Sequence, residues 1–408
     1  MHSQRTFRHC FRLHARSVFF LAFAGVICLV STGTSLADEN PAAIRLETDV
    51  ILLADDAMQG RGIGTEGLDR AADLIARRFE ELGLKTDLLD GSPFQLFKST
   101  TRVPKAEQGV DWEAINAAKA EKSGTTPPAA KTPPRGASDE SPKAPDEIPD
   151  RPERRPVDAK NVMALLPGEG PLADEIIVVG AHYDHLGYRE KNGKVTVFNG
   201  ANDNASGTAA LLEIARILSE RKQKLPRSVL FIAFSAEERG LVGSFFYVKH
   251  PVLPIENTIA MVNLDMVGCM EGKKVMASGS GTSKLLTQMV IRAARDHDLN
   301  LIEMPGRIGG SDHVPFYSQE VPVVHFITTG GWKYYHRPTD DVETLDFEGA
   351  AQISAMAADL VVALAESYTR PQFEDRGWGG TIVRNLFRFM GAAASAMAEP
   401  EEEGKSEP

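Results

Sequence analysis

Short apolar runs alternate with longer amphipathic stretches over the second half of the chain. The runs are rich in valine and isoleucine, as is typical of strands buried on both faces, and they lie at residues 162–166, 176–179, 229–234, 259–264 and 321–327. Helical periodicity separates or follows most of them, at residues 205–220, 241–249, 284–297 and 347–368. This alternation predicts an α/β fold with a mostly parallel twisted sheet and helices on both faces.

The first two apolar runs are joined by the turn-like sequence Pro167-Gly168-Glu169-Gly170. A short connection of this kind favours a hairpin between neighbouring strands. The sheet is therefore predicted to be mixed, with one antiparallel pair beside the parallel strands.

Changes in composition divide the chain into five segments. Residues 38–99 show helical periodicity and form the N-terminal part of the predicted main domain, which continues over residues 159–369. Between them, residues 100–158 are rich in Pro, Lys and Ala and have too few apolar residues to offset the entropy of ordering, so we predict a flexible insertion. A linker between two domains is the alternative. Residues 370–408 form a C-terminal extension with a helix at 381–398 and an acidic, disordered tail.

The N-terminus has the pattern of an export signal. Four arginines precede an apolar run at residues 18–30, and Ser35-Leu36-Ala37 supplies a small-x-small cleavage site. We expect a signal peptide at residues 1–37 and a periplasmic or secreted protein, with an uncleaved N-terminal membrane anchor as the alternative. Cleavage would leave Cys269 without a disulfide partner in the chain, and we expect it to be a buried thiol beside a strand end.

The charge balance excludes one class of partner. A formal net charge of -11 argues against a nucleic-acid-binding surface. Beyond the alternative N-terminal anchor we expect no stable membrane partner, and the sequence does not specify an oligomeric state.

Polar clusters follow the apolar runs at the predicted strand ends. Ligand sites in open α/β sheets lie beyond the carboxyl ends of the strands. The clusters contain His182 and Asp184 after the second run, Glu237 and Glu238 after the third, Asp265 after the fourth, His336 after the fifth, and Asp203 at the start of the first long helix. Each alone is weak evidence, since Asp203 could be only a helix N-cap. Together they predict a metal site, because converging carboxylates repel one another unless cations neutralise them, and imidazole with carboxylate suits zinc, with cobalt or manganese as alternatives.

These motifs resemble the co-catalytic zinc metallopeptidases of the bacterial leucyl aminopeptidase, glutamate carboxypeptidase and transferrin-receptor type. The resemblance covers residues 51–96 and 162–366. It rests on Gly-Ala-His-Tyr-Asp at 180–184, Gly-Ala-Asn-Asp-Asn-Ala-Ser-Gly at 200–207, Ser-Ala-Glu-Glu-Arg-Gly-Leu-Val-Gly-Ser at 235–244, Asn-Leu-Asp-Met-Val-Gly at 263–268 and His-Arg-Pro-Thr-Asp-Asp at 336–341. It implies a zinc-exopeptidase sandwich fold, two zinc ions per chain and a peptide substrate.

The resemblance also implies roles for individual residues. Asp203 would bridge the two metals, with Glu238 and His336 completing one site and His182 and Asp265 the other. Glu237 would be the general base that takes the proton of a metal-bridged water and hands it to the leaving amine. Asp184 would accept the second imidazole N–H of His182 and fix its tautomer.

Several polar residues in the same motifs have simpler explanations. We expect a structural or outer role for His185 and a hydrogen-bonded core position for His325, while Asp312 is a candidate for an outer role in the site. The chain departs from the leucyl-type aminopeptidases that it resembles at one position. Three residues before Ser311, those enzymes are expected to have a tyrosine that helps to stabilise the oxyanion. Ile308 occupies that position, so the metals or another donor, such as Tyr335 or a backbone N–H, would have to stabilise the oxyanion. The Gly60-Arg61-Gly62 segment is only loosely similar to a phosphate loop and is assigned a supporting role.

The sequence favours an exported aminopeptidase that removes N-terminal residues from peptides. A carboxypeptidase or dipeptidase of the same family remains open, because the metals define hydrolysis better than the end that is cut. Glutaminyl cyclase is disfavoured. The cyclases that the chain resembles use one zinc ion, which would leave His182 and Asp184 without an obvious role. A non-catalytic receptor-like ectodomain is disfavoured because such a chain would be expected to lose ligands or the base.

Overall fold

The computed structural model describes residues 40–101, 155–306, 308–375 and 380–398, and the side chains up to residue 392. The described strands are β1 (Phe94–Thr101), β2 (Arg155–Leu166), β3 (Ile176–His182), β4 (Gly187–Lys191), β5 (Lys194–Phe198), β6 (Ser228–Phe234), β7 (Thr258–Leu264), β8 (Lys274–Ser278), β9 (Asn300–Met304) and β10 (Val323–Thr328). The described α-helices are α1 (Pro41–Leu53), α2 (Glu66–Glu81), α3 (Gly207–Ser219), α4 (Val242–Lys249), α5 (Lys284–Asp296), α6 (His313–Ser318), α7 (Phe347–Glu366) and α8 (Gly380–Ala398).

Within the described part of the chain, eight strands form one mixed sheet in the order β1-β2-β6-β3-β7-β10-β8-β9. Its centre, β6-β3-β7-β10, is parallel, and the antiparallel pairs lie on either side of it. All residues of β3, β6, β7 and β10 are buried, because helices cover both faces. The predicted α/β class and mostly parallel sheet are therefore confirmed.

The predicted hairpin between the first two apolar runs is wrong. β2 and β3 are consecutive in the chain, but β6 lies between them and pairs antiparallel with β2 and parallel with β3. β6 is apolar on both faces, so it is stabilised by two flanking strands and by helices above and below. The connection at residues 167–175 is long enough to pass from β2 over β6 to β3, whereas a tight turn would be too short.

Two apolar cores lie on the two faces of the sheet. Along β3, Ile177 and Val179 face the larger core, formed with α1, α2, α3, α5 and α7. Ile176 and Val178 face the smaller core, formed with α4 and α6. This alternation follows from the two-residue period of a strand and confirms the prediction of helices on both faces. The helix α7 is long and apolar enough to cross a membrane by length and composition alone, but it packs on α1, α3 and α5.

The strands on either side of the predicted insertion belong to the same sheet. β1 pairs along its whole length with Arg155–Val162 of β2, and the pairing ends with Thr101 opposite Arg155. The two strands therefore extend into both ends of the segment that was predicted to be a flexible insertion at residues 100–158. The side chains there are mostly polar, so no apolar run marks the strands. Residues 102–154 lie outside the described residues, as do the predicted signal peptide and acidic tail. The division into domains stays a prediction.

The C-terminal helix α8 docks on the smaller core. Val383 and Phe387 pack against that core, and α8 contacts α4 and α6. Leu386 and Met390, which the sequence places on the same apolar face, are 55% and 49% exposed. Of these four side chains, only Val383 and Phe387 pack against the core.

Candidate metal centre

The predicted ligands come together at the carboxyl edge of the parallel strands. His182 is the last residue of β3, Asp265 follows β7, and Glu237 and Glu238 lie in the turn after β6. Because β6, β3 and β7 are neighbours and run parallel, their carboxyl ends meet at one edge. Loops before α3 and after β10 bring Asp203 and His336 to the same place.

Asp203 lies between two groups of ligands, one at each carboxylate oxygen. Its Oδ1 is 3.4 Å from His182 Nε2, and the same nitrogen is 3.4 Å from Asp265 Oδ1. Its Oδ2 is 3.3 Å from His336 Nε2, which is 3.2 Å from Glu238 Oε2. Each half of the cluster thus presents one imidazole nitrogen and two carboxylate oxygens.

These distances fit zinc ligation. In a tetrahedral zinc site with bonds of about 2.0–2.1 Å, neighbouring ligand atoms lie about 3.3 Å apart. Two oxygens of the cluster, Asp203 Oδ2 and Asp265 Oδ1, are buried and accept no hydrogen bond from the described residues. A buried carboxylate oxygen without a donor is costly unless a cation compensates it. The donor set therefore suits a metal.

Two further side chains lie within ligand distance of the cluster. The ligand atoms of His182, Glu237 and Asp265 lie within 4.8 Å of one another, and so do those of His185, Asp203 and Glu238. His185, for which the sequence favoured an outer role, places Nδ1 2.9 Å from Glu238 Oε1. It thus holds one oxygen of Glu238 while the other faces His336.

A sharp turn gives Glu237 and Glu238 different surroundings. Ala236 and Leu241 on either side of it have left-handed φ angles of 60° and 62°. Burial raises the pKa of Glu237 well above its ordinary value, and the nearby His182 only partly opposes this effect. For Glu238, burial has the same tendency, but hydrogen bonds with His185 and His336 hold its pKa below the ordinary value. Glu237 is thus the carboxylate that binds a proton more readily, as a general base requires.

Asp184 acts differently from the sequence-based expectation. His182 Nδ1 lies 3.1 Å from the main-chain carbonyl of Asp184 and 3.8 Å from its carboxylate. The carbonyl can only accept, so it fixes the tautomer that leaves Nε2 free for a metal. The Asp184 carboxylate instead accepts the N–H groups of Glu237, at 3.0 Å, and Glu238, at 3.3 Å. Burial raises its pKa to about 6.

Sequence reasoning missed two residues that support the loop carrying Asp203. Asp340 accepts the N–H groups of Asn202 and Asp203 at 2.9 and 3.0 Å. Asn204 bonds to the Leu264 carbonyl and to the N–H of Met266. The loop is therefore tied to the His336 segment on one side and to the end of β7 on the other. The motif Asp340-Asp341 beside His336 was the available signal for the first of these.

The residues of uncertain role in the sequence are buried near the cluster. His325 places Nδ1 3.2 Å from Ser278 Oγ, but its Nε2 has no hydrogen-bond partner among the described residues, so the expected satisfied histidine is only half satisfied. Asp312 is buried, and neither of its oxygens accepts a hydrogen bond from the described residues. Ile308 packs in the smaller core. Tyr335 stacks on His336 with 3.8 Å between ring centroids and lines the cavity.

A cavity of about 190 Å³ opens beside the cluster. Its remaining wall is mainly apolar and includes Met266, Met276, Met304, Ile327 and Trp332. β10 and β8 pair so that Ile327 lies opposite Met276, and β8 and β9 pair so that Ser278 lies opposite Met304. One face of the sheet thus forms an apolar wall next to the candidate metal ligands.

Residues 161–361 match a family model described as "Peptidase family M28". An aminopeptidase of Bacillus subtilis, YwaD, is 31% identical over 214 residues, which is 50% of this chain and 44% of that relative. "Leucine aminopeptidase 1" of Ajellomyces capsulatus is 27% identical over 50% of this chain and 56% of its own length. The chain thus spans about half the length of these curated relatives.

The fold is also shared with solved structures. A zinc aminopeptidase from Bacillus subtilis, BSAP, is similar over 82% of this chain and 98% of its own, with a TM-score of 0.56 and 21% identity. At such low identity the similarity shows the fold alone. It agrees with the mixed sheet and the two helix layers described above.

Proposed function

Residues 161–361 belong to peptidase family M28, and on that premise we propose that the protein is a zinc-dependent aminopeptidase that binds two zinc ions and removes N-terminal residues from peptides. The observation that carries the proposal is the position of Asp203, whose two oxygens lie 3.4 and 3.3 Å from the imidazoles of His182 and His336. A carboxylate shared in this way suits two metal ions better than one. The names of the relatives support the amino end as the site of cleavage.

The proposed ligand sets follow from the two halves of the cluster. His182, Asp203 and Asp265 would hold one zinc, and Asp203, Glu238 and His336 the other. Bound zinc would supply a Lewis acid for the peptide carbonyl and lower the pKa of the attacking water.

The side chains of this chain perform the proton transfers. Glu237, with its raised pKa, accepts the proton of the attacking water and passes it to the leaving amine. The Asp184 carboxylate holds Glu237 in place through the main chain of the turn. Tyr335, beside His336 in the cavity wall, is the side-chain candidate for stabilising the oxyanion.

The apolar cavity wall predicts the preferred substrate. A side chain entering beside the cluster would contact Met276, Met304 and Ile327 and remove their apolar surface from water. We therefore infer a preference for peptides with an apolar N-terminal residue. We also propose that the protein is exported, on the basis of the N-terminal signal pattern, and acts in the periplasm or outside the cell.

Activity on aminoacyl p-nitroanilides, measured with zinc content on the same sample, tests the proposal. We expect a leucyl substrate to be cleaved, a chelator to abolish cleavage, and N-blocked substrates to be inert. Glu237→Gln should lower kcat by about 10²–10⁴-fold, the range of general acid-base catalysis, while zinc is retained. The matched control is Glu66→Gln on the exposed start of α2, which should leave activity unchanged.

The same assay separates the alternatives. Cleavage of N-blocked peptides with a free C-terminus would favour a carboxypeptidase. Full activity in Glu237→Gln, or turnover that does not need metal, would contradict the mechanism.

A further inference from the structure

Arg61 is a fully buried cation whose hydrogen bonds go to main-chain carbonyls. Its Nε donates to the Tyr183 carbonyl at 2.8 Å, one terminal nitrogen donates to Leu53 and Asn199 at 2.6 and 2.7 Å, and the other donates to Gly200 at 2.8 Å. Its own carbonyl accepts the His185 N–H at 3.1 Å. The side chain is 0% exposed. An arginine in this position joins several chain segments at once.

The segments that it joins carry the metal ligands. Tyr183 follows His182 directly, and Gly200 lies three residues before Asp203. The guanidinium therefore bridges the loop after β3 and the loop before α3. His182, directly before the first loop, and Asp203, in the second, place Nε2 and Oδ1 3.4 Å apart. The remaining partner, Leu53, is the last residue of α1 and anchors the bridge to the larger core.

The backbone next to Arg61 packs closely against the ends of β4 and β5. Gly60 has a φ of 57°, and a Cβ at this position would lie 2.3 Å from the Gly187 carbonyl oxygen and 2.4 Å from that of Phe198. Only glycine fits at position 60, and the close approach of the backbone there allows the Arg61 guanidinium to reach its carbonyl partners. This explains the glycine-rich segment that only loosely resembled a phosphate loop.

The charge of Arg61 is also matched to the site. Among the described residues, its hydrogen-bond partners are neutral carbonyls, yet buried cations are rarely found without a compensating anion. Burial lowers its pKa to about 10, and the carboxylates of Asp340, Asp203, Asp184 and Glu238 oppose that decrease. The guanidinium therefore stays charged at neutral pH and lies in the field of the acidic cluster.

We propose that Arg61 is a positioning residue of the metal centre, which holds the His182 loop and the Asp203 loop at the spacing that zinc requires. The inference rests on the proposed zinc centre. Lysine cannot replace it, because an ammonium group lacks the planar fork that reaches carbonyls in several directions. The position therefore requires arginine for its geometry as well as for its charge.

Zinc affinity of the purified chain, measured by competition with a chromogenic chelator and without substrate, tests this role. Arg61→Lys and Arg61→Met should weaken zinc binding by at least about tenfold, the lower end of the effect of removing outer support from a metal ligand. The visible spectrum of the cobalt-substituted protein should also change in Arg61→Lys, because the ligand geometry changes.

Arg227 provides a matched control. It is also buried, and it donates to Glu175 and to the carbonyls of Leu364, Ala365 and Ser367. It precedes β6, whereas the metal ligands follow the other end of that strand. Arg227→Lys should lower thermal stability without changing zinc affinity or the cobalt spectrum.

The outcomes separate this inference from the proposed function. Zinc affinity and a cobalt spectrum in Arg61→Lys equal to those of the wild type, or an equal loss in Arg227→Lys, would overturn the role of Arg61 and leave the peptidase assignment intact. A wild-type chain that binds no zinc would contradict both.

Discussion

At the scale of single residues, the centre depends on side chains that hold the ligands as much as on the ligands themselves. Asp340 binds the loop of Asp203, His185 binds Glu238, and Asp184 binds the turn of Glu237. Such contacts are hard to infer from sequence, because Asp340 and Asp184 accept main-chain N–H groups, and the motifs that contain these two residues do not specify which N–H groups they bind. His182, Asp203 and Asp265 were predictable, since each lies in a distinctive motif at a strand end or helix start.

Asp184→Asn tests the supporting role of that carboxylate. The amide keeps one oxygen acceptor, so it can retain only one of the two bonds to the N–H groups of Glu237 and Glu238. We expect a loss of about 10–100-fold in activity or zinc affinity, as for other residues that orient metal ligands. Steady-state kinetics and zinc content measured together would show it, and unchanged values in both would contradict the role.

The raised pKa of Glu237 predicts the acidic limb of the pH profile. The carboxylate must be deprotonated to act as a base, and burial raises its pKa above the ordinary value of 4.5. Activity should therefore be present above the pKa of Glu237 and fall as the pH drops through it, with burial raising that pKa and the positive charge of bound zinc opposing the rise. Zinc content measured at each pH separates this titration from loss of metal. A kcat/KM that does not decline at acidic pH while zinc stays bound would contradict the account.

At the scale of elements, strongly apolar strands and amphipathic helices were predictable, whereas weakly patterned edges were not. β9 has no fully buried residue, and only three of the eight residues of β1 are apolar, so neither forms an apolar run. The pair β4 and β5 lies apart from the main sheet and was also missed. The strand order was not predictable, because the neighbours of β6 are chosen by burial on both faces and not by adjacency along the chain.

The docking of α8 is testable with two phenylalanines on one helix. Phe387 packs against the smaller core, while Phe389 is 74% exposed. Phe387→Ala should lower the free energy of unfolding by about 1–2 kcal/mol, since part of its apolar surface leaves the core. Phe389→Ala should change it by less than about 0.5 kcal/mol, as is usual for surface positions. Chemical denaturation of both variants gives the comparison, and equal effects would argue against the docked face.

At the scale of the whole molecule, the fold brings residues from five separate parts of the sequence to one sheet edge. The rule that ligands bind beyond the carboxyl ends of parallel strands was sufficient to predict where these residues converge. It was not sufficient to predict how the loops are fixed, because Arg61 contacts segments more than a hundred residues away. The geometry of the site therefore depends on contacts across the folded domain as well as on the candidate ligands.

The central claim is that Asp203 bridges two zinc ions, and a zinc titration of the metal-free chain tests it most directly. We predict that the wild type binds two equivalents, that His336→Ala binds one, and that Asp203→Asn is impaired in binding both, because only Asp203 contributes an oxygen to each half of the cluster. Activity on a leucyl anilide should follow occupancy. A wild type that saturates at one zinc ion with full activity, or an Asp203→Asn variant that binds two as tightly as the wild type, would contradict the account.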